Sequence, residues 1–304
     1  MAQRSLLDVL TSVTKVPKSN SDAYTNEGPL LQQPVGDAAF GGSIISQALS
    51  AALATVAAGF DAYSSQSSFL RPVKATAKVT YHVDRAADGR TFATRLVRAT
   101  QGDSGPCLYV AIISFQRRST AQDATPRYAD RPPELGGLRP YDAARFDLQQ
   151  VGFQINSDQL PANMHGETPF DWRLLPFKPP NDDLSQIRAH GFVRFSTQNG
   201  TAHLPSMALL SDQSLLELVS FANWGSVSKD IRSLAMNTTL NCQVSFHVPA
   251  VESTTGWMIC ESRTSWGAGG RISTHQQFWD LETGVLVMSC TQDARLSQPQ
   301  HAAL

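Results

Sequence analysis

The chain reads as an α+β protein that builds one arrangement twice: a long buried helix followed by a curved antiparallel sheet. Three observations lead there. No charged residue occurs from Gly42 to Phe60, while Ile44, Ile45, Ala48, Leu49, Ala52 and Leu53 recur at helical spacing. A helix that is apolar all round has to be enclosed, and a curved sheet does this most simply. Alternating strands joined by tight turns follow it, and the order helix-then-meander recurs in the second half of the chain.

Taken in order, Leu6, Leu7, Val9, Leu10 and Val13 fit a short amphipathic helix. The central helix is expected over Ala39–Gly59, opened by Gly41-Gly42, whose missing side chains let a backbone approach a substrate closely. Ser67 to Leu70 reads as a short strand ending at Arg71-Pro72. Ala75 to Val83 alternates, and Asp88-Gly89 signals a hairpin. Strands Phe92–Thr100 and Cys107–Gln116 follow, separated by the turn Gly102-Asp103-Ser104-Gly105. Prolines from Pro126 to Pro180 then mark a connection expected to hold little regular structure. Beyond it come a strand at Ala189–Ser196, a helix at Pro205–Phe221, and strands Asn237–His247, Trp257–Thr264, Arg271–Trp279 and Val285–Asp293. This divides the chain into a first unit at residues 1–117, a connection at 118–185 and a second unit at 186–297, a duplication of element order.

The bulk properties narrow the function. Of 304 residues, 41% are hydrophobic and 17% charged, enough for a substantial core. The net charge of −1, with scattered cations, gives no bulk attraction for nucleic acid. Cys107, Cys242, Cys260 and Cys290 lie in apolar runs without metal-ligand spacing, so they read as reduced and buried, which favours an intracellular protein. The first residues lack the apolar core of a signal peptide, and no apolar run is long enough to insert in a membrane. His301-Ala302-Ala303-Leu304 is not the usual peroxisomal tripeptide, leaving a cytoplasmic or peroxisomal location as the expectation.

An ordered series of short strings spans residues 5 to 297. Phe40-Gly41-Gly42 with Gln47-Ala48-Leu49, Ser68-Phe69-Leu70-Arg71-Pro72, Asp88 to Arg95 and Ala111 to Gln116 stand in the first half. Leu210-Ser211-Asp212, Thr239 ahead of Ser245-Phe246-His247, and Asp280 to Gln292 stand in the second. Together they resemble the acyl-CoA thioesterase II family. The resemblance implies a tandem (double) hotdog fold and hydrolysis of acyl-CoA or related acyl thioesters, with no metal, no cofactor and no covalent nucleophile. It places the family's catalytic Asp, Thr and Gln on Asp212, Thr239 and Gln292. Cys242, Gln243 and Val244 depart from the family's usual residues before the Phe-His pair, which bears on the acyl group accepted.

The chemistry suits those residue types. A carboxylate with its pKa raised by desolvation is a competent general base near neutrality, and a hydroxyl and an amide can hold the same water. Free N–H groups in the first helical turns could receive the oxyanion. Arg71, Arg263 and Arg271, near loop ends, are candidates for the CoA phosphates. Ordinary structural readings stand beside these: Asp212 as a helix cap, Thr239 as a β-former, Gly41-Gly42 as a tight turn. His82 and His247 read as structural, and Ser104 lacks the partners of a nucleophilic serine. The alternatives are a hotdog hydratase or dehydratase, a thioester-binding protein without turnover, and a hydrolase dedicated to one biosynthetic acyl thioester. Sheet edges in such a chain can pair internally, with a homo-oligomer expected beyond that.

Overall fold

A computed structural model describes residues 4–17, 19–33, 36–102, 105–118, 128–147, 154–177, 183–196, 201–222, 236–252 and 256–296. The first half contains α1 (Leu6–Thr11), β1 (Val13–Lys15), β2 (Ala23–Asn26), β3 (Leu31–Gln32), α2 (Gly41–Leu53), β4 (Phe60–Phe69), β5 (Thr80–Asp88), β6 (Phe92–Thr100) and β7 (Tyr109–Arg117). The connection contributes β8 (Ala144–Phe146), β9 (Gln154–Ile155) and β10 (Phe170–Leu174). The second half adds β11 (Arg188–Phe195), β12 (Thr201–His203), α3 (Leu204–Ser211), α4 (Leu215–Ala222), β13 (Met236–Phe246), β14 (Ala250–Glu252), β15 (Trp257–Ala268), β16 (Arg271–Asp280) and β17 (Leu286–Leu296).

Among the described residues one sheet of 13 strands runs through both halves. Its seam is the antiparallel pair β4–β13, in register from Ser64 opposite Ser245 to Ser68 opposite Asn241. Side chains reinforce the seam: Ser67 Oγ donates to the Cys242 carbonyl at 3.0 Å and Ser68 Oγ to Asn241 Oδ1 at 2.8 Å. Outward from the seam the order is β4-β7-β6-β5-β2-β1 on one side and β13-β17-β16-β15-β11-β10-β8 on the other. The duplicated element order expected from the sequence is therefore visible as duplicated strand order.

The helices pack on one face of this sheet, with α2 against α3. Ile44, Ile45, Ala48, Leu49, Ala51 and Ala52 of α2 are buried, which explains why that stretch carries no charge. Gln47 is satisfied in the core, donating to the Leu10 carbonyl (2.8 Å) and accepting from the Tyr81 hydroxyl (2.8 Å). Gly42 permits the helix contact, because a Cβ there would collide with the Leu209 carbonyl oxygen.

Several expectations need correction. The helix expected over 205–221 is two helices, broken at Asp212–Ser214. One polar side chain from the sheet takes over backbone groups that a continuous helix would pair: Gln276 Oε1 accepts from Leu215 N (2.9 Å) and Gln276 Nε2 donates to the Gln213 carbonyl (3.3 Å). Asp212 is consequently the C-cap of α3 rather than a residue within one long helix. The strand expected at 67–70 begins at Phe60, since β7 and β13 supply partners to a serine-rich stretch of weak intrinsic preference. The central helix ends at Leu53 rather than Gly59, where Thr55 instead binds the buried Arg95 guanidinium.

The connection is also more ordered than expected. β10 and β8 extend the sheet beyond β11, and β9 pairs with β3 of the first half. Leu175 and Ala143 cover Phe192, Trp257, Ile259 and Trp279 on the outer face of the second half, forming a small second core. The Trp279 indole donates to the Asp130 carbonyl at 3.0 Å, tying the connection down. Asp103 and Ser104 lie outside the described residues. All four cysteines are free, and Cys242, Cys260 and Cys290 are buried. Among the described residues no helix is long and apolar enough to cross a membrane.

Candidate active site

Asp212, Thr239 and Gln292 come from three separate elements and meet. Asp212 sits in the break between α3 and α4, Thr239 on β13 before a bulge, and Gln292 on the helix-facing side of β17. Thr239 Oγ1 donates to Asp212 Oδ1 at 2.9 Å, and Gln292 Nε2 donates to the same oxygen at 2.7 Å. Gln292 Nε2 also reaches Thr239 Oγ1. The other carboxylate oxygen accepts the Gly42 backbone N–H at 2.9 Å, across the interface between the halves.

The carboxylate is enclosed, with Asp212 only 6% exposed. Burial pushes its pKa up to about 7, against the lowering effect of the Thr239 hydroxyl and the Gly42 N–H. Gln292 Oε1 is buried and has no hydrogen-bond partner among the described residues, which leaves an acceptor beside the carboxylate. Glu217, on α4, is also pushed up, to about 8, by burial first and the charge of Asp212 second, though part of the residue still reaches the surface.

A cavity of about 340 Å³ is lined by Thr239 and by Gly41, which packs against the Asp212 carboxylate. Its lining grades from buried Gly41 and Ile44 through part-buried Phe69 and Thr239 to exposed Arg71, Thr238 and Arg295. It forms where β4 and β13 part company: their pairing ends at Ser68 opposite Asn241, and Phe69–Arg71 then diverge from Thr238–Leu240. A side chain at Gly41 would place its Cβ 2.6 Å from Asp212 Oδ2, so glycine keeps the carboxylate accessible to the cavity wall.

Of the residues expected to bind substrate, Gly41 and Arg71 line this cavity and Gly42 holds Asp212. Arg263 stands apart, opposite His275 and Arg188 in the sheet. Arg271 does not line the cavity but is in register with Arg295, which does. Sequence reasoning missed Arg295 and Gln276; a lone Arg near a strand end and a Gln in an alternating strand carry no local signal. His82 binds Thr100 and His247 binds Ser289, both away from Asp212, in keeping with structural roles.

Solved structures share this fold. One is an acyl-CoA thioesterase II from Mycobacterium marinum, 20% identical, with a TM-score of 0.68 over 97% of this chain and 99% of that one. Another, from Alicyclobacillus acidocaldarius and described as having a hot dog fold, is 15% identical with a TM-score of 0.65 over 98% and 100% of the two chains. The fold class is thus the hotdog fold. The acyl-CoA thioesterase N-terminal domain matches residues 31–116 and the acyl-CoA thioesterase C-terminal domain residues 143–296. Acyl-coenzyme A thioesterase 8 of Rattus norvegicus is 26% identical over 300 residues, spanning 95% of this chain and 88% of the rat protein. The chain belongs to the acyl-CoA thioesterase family and is a thioester hydrolase.

Proposed function

We propose that the chain hydrolyses acyl-CoA to free acid and CoA with a water activated by Asp212 and oriented by Thr239 and Gln292. The observation that carries this reading is the convergence of both donors on one oxygen of a buried carboxylate beside a cavity. Ionised Asp212 takes a proton as the water oxygen bonds to the thioester carbon, and Gln292 Oε1 accepts the water's second hydrogen. Negative charge then develops on the carbonyl oxygen. The N-terminus of α2, which reaches the cavity at Gly41, supplies positive potential for it. Collapse breaks the carbon–sulfur bond, and the proton held by Asp212 passes to the departing thiolate.

In this reading each half, at about residues 1–117 and 186–297, is one hotdog unit of a tandem pair, and 118–185 joins them. β4 and β13 pair as two subunit edges would, and a homo-oligomer assembles from such built-in pairs. Thiol release from purified protein on a panel of acyl-CoA esters tests the activity, with Asp212→Asn beside it. A variant as active as the parent would sink the assignment of the base.

A further inference from the structure

Arg271 and Arg295 stand directly opposite each other on β16 and β17. Like charges so placed repel, and neither forms an ion pair with a described carboxylate. Asp293, two residues earlier on β17, faces Ser273 instead of either arginine. Strand alternation fixes their direction. Gln292 and Ala294 face the helices, so Arg295 and its partner Arg271 point to the outer face.

Trp266 joins them there. Its side chain is 47% exposed, and the Arg271 guanidinium lies over its ring, 5.4 Å from the centroid. A β-bulge produces this placement. Thr264 faces inward opposite Thr274, and simple alternation would turn residue 266 inward as well. The extra residue, Ser265, shifts the register so that Trp266 opposes the outward Ser273.

The cavity meets the same surface where Arg295 and Thr238, both exposed and paired in register, line it. From this mouth the order is Arg295, Arg271, Trp266, on successive strands about 4.8 Å apart, so the indole is about 14 Å from β13. A pantetheine arm leaving a thioester at Asp212 would emerge beside Arg295. We infer that this row seats the nucleotide end of CoA, with the adenine on Trp266 and the phosphates on Arg271 and Arg295. The inference rests on Asp212 marking the reaction centre, and it narrows the substrate to CoA esters rather than carrier-protein thioesters.

The test compares an acyl-CoA with the same acyl group on pantetheine. Trp266→Ala and Arg295→Glu should each raise KM for acyl-CoA about tenfold at unchanged kcat, the size of one base–aromatic stack. Trp266→Phe should restore most of it, and neither loss should appear with acyl-pantetheine. Calorimetric binding of the phosphorylated ADP portion of CoA, which needs no turnover, should be seen with the parent and lost in the double variant. Equal losses on both substrates, or unaltered nucleotide binding, would overturn the inference. Asp212→Asn that still hydrolyses both substrates would instead overturn the assignment of the base.

Discussion

In the first half, Leu49, Ala62 and Ile113 occupy the positions that Asp212, Thr239 and Gln292 hold in the second. Leu49 and Asp212 each stand nine residues past the residue capping their helix, Phe40 and His203. Bulges set the strand equivalence: Ala62 precedes the one in β4 as Thr239 precedes the second of two in β13. Counting on from those bulges brings Ile113 of β7 to the place of Gln292 of β17. The three first-half residues are 0%, 3% and 0% exposed and form ordinary core. The polar groups can be buried together because Thr239 and Gln292 both donate to the Asp212 carboxylate, which alone would bear an unmatched desolvation cost. In the first half all three positions are apolar together. The outer faces differ in parallel. The connection covers that of the second half, while Tyr63, Phe92 and Ile112 stay exposed on the first.

The contrast can be broken most sharply by giving the second half the first half's residue. Asp212→Leu should lower kcat about 10³-fold, the scale of general-base catalysis, read as thiol release. Leu49→Ala should leave kcat of the folded enzyme intact and cost about 2–5 kcal/mol in denaturant unfolding, because it opens a cavity in a packed core.

Next in size is the pH dependence. The folded pKa of Asp212, about 7, lies above its ordinary 3.8, so the folded state holds the proton more tightly. That stabilisation is complete below about pH 4 and is lost as pH rises through about 7, a change on the order of 4 kcal/mol. Unfolding measured from pH 4 to 8 should show this slope in the parent and a flatter one in Asp212→Leu. The slope is the readout, since Gly42 and Gln292 also lose their acceptor. Turnover should move the opposite way, rising through about pH 7 as the base ionises.

Thr239→Ala and Gln292→Ile, which complete the conversion to the first half's set, should each lower kcat about tenfold to a hundredfold. That is the worth of a hydrogen bond to a charged group. Their combination should fall short of the product, because the two share one carboxylate oxygen. Smallest is the seam: Ser68→Ala removes the bond to Asn241 and should cost about 1 kcal/mol or less, with activity retained.

Much of the scaffold was legible in the sequence. β6 has the bounds expected, Phe92–Thr100, and β11, β13, β15, β16 and β17 fall within a few residues of expectation except where β15 runs on to Ala268. Period-two alternation and turn residues encode such strands locally. β4 was largely hidden because Ser64-Ser65-Gln66-Ser67-Ser68 lacks apolar alternation, and its strand state comes from neighbours on both sides. The helix break at Asp212 was hidden too, because the apolar run continues through Leu215 and Leu216 while the interrupting bonds come from Gln276, some sixty residues away.

The sequence by itself determined the element types, the duplicated order and, through family-like strings, the identity of the three polar residues. Only the tertiary structure decided that they touch, and that the first half joins the site by lending Gly42 and a cavity wall. Those contacts link residues 27, 80 and 170 positions apart. It also decided the cavity mouth and the outward turn of Trp266. Local periodicity tells a side chain which face to take. Which strands become neighbours, where they part and where a bulge shifts the register depend on partners that the local pattern does not name.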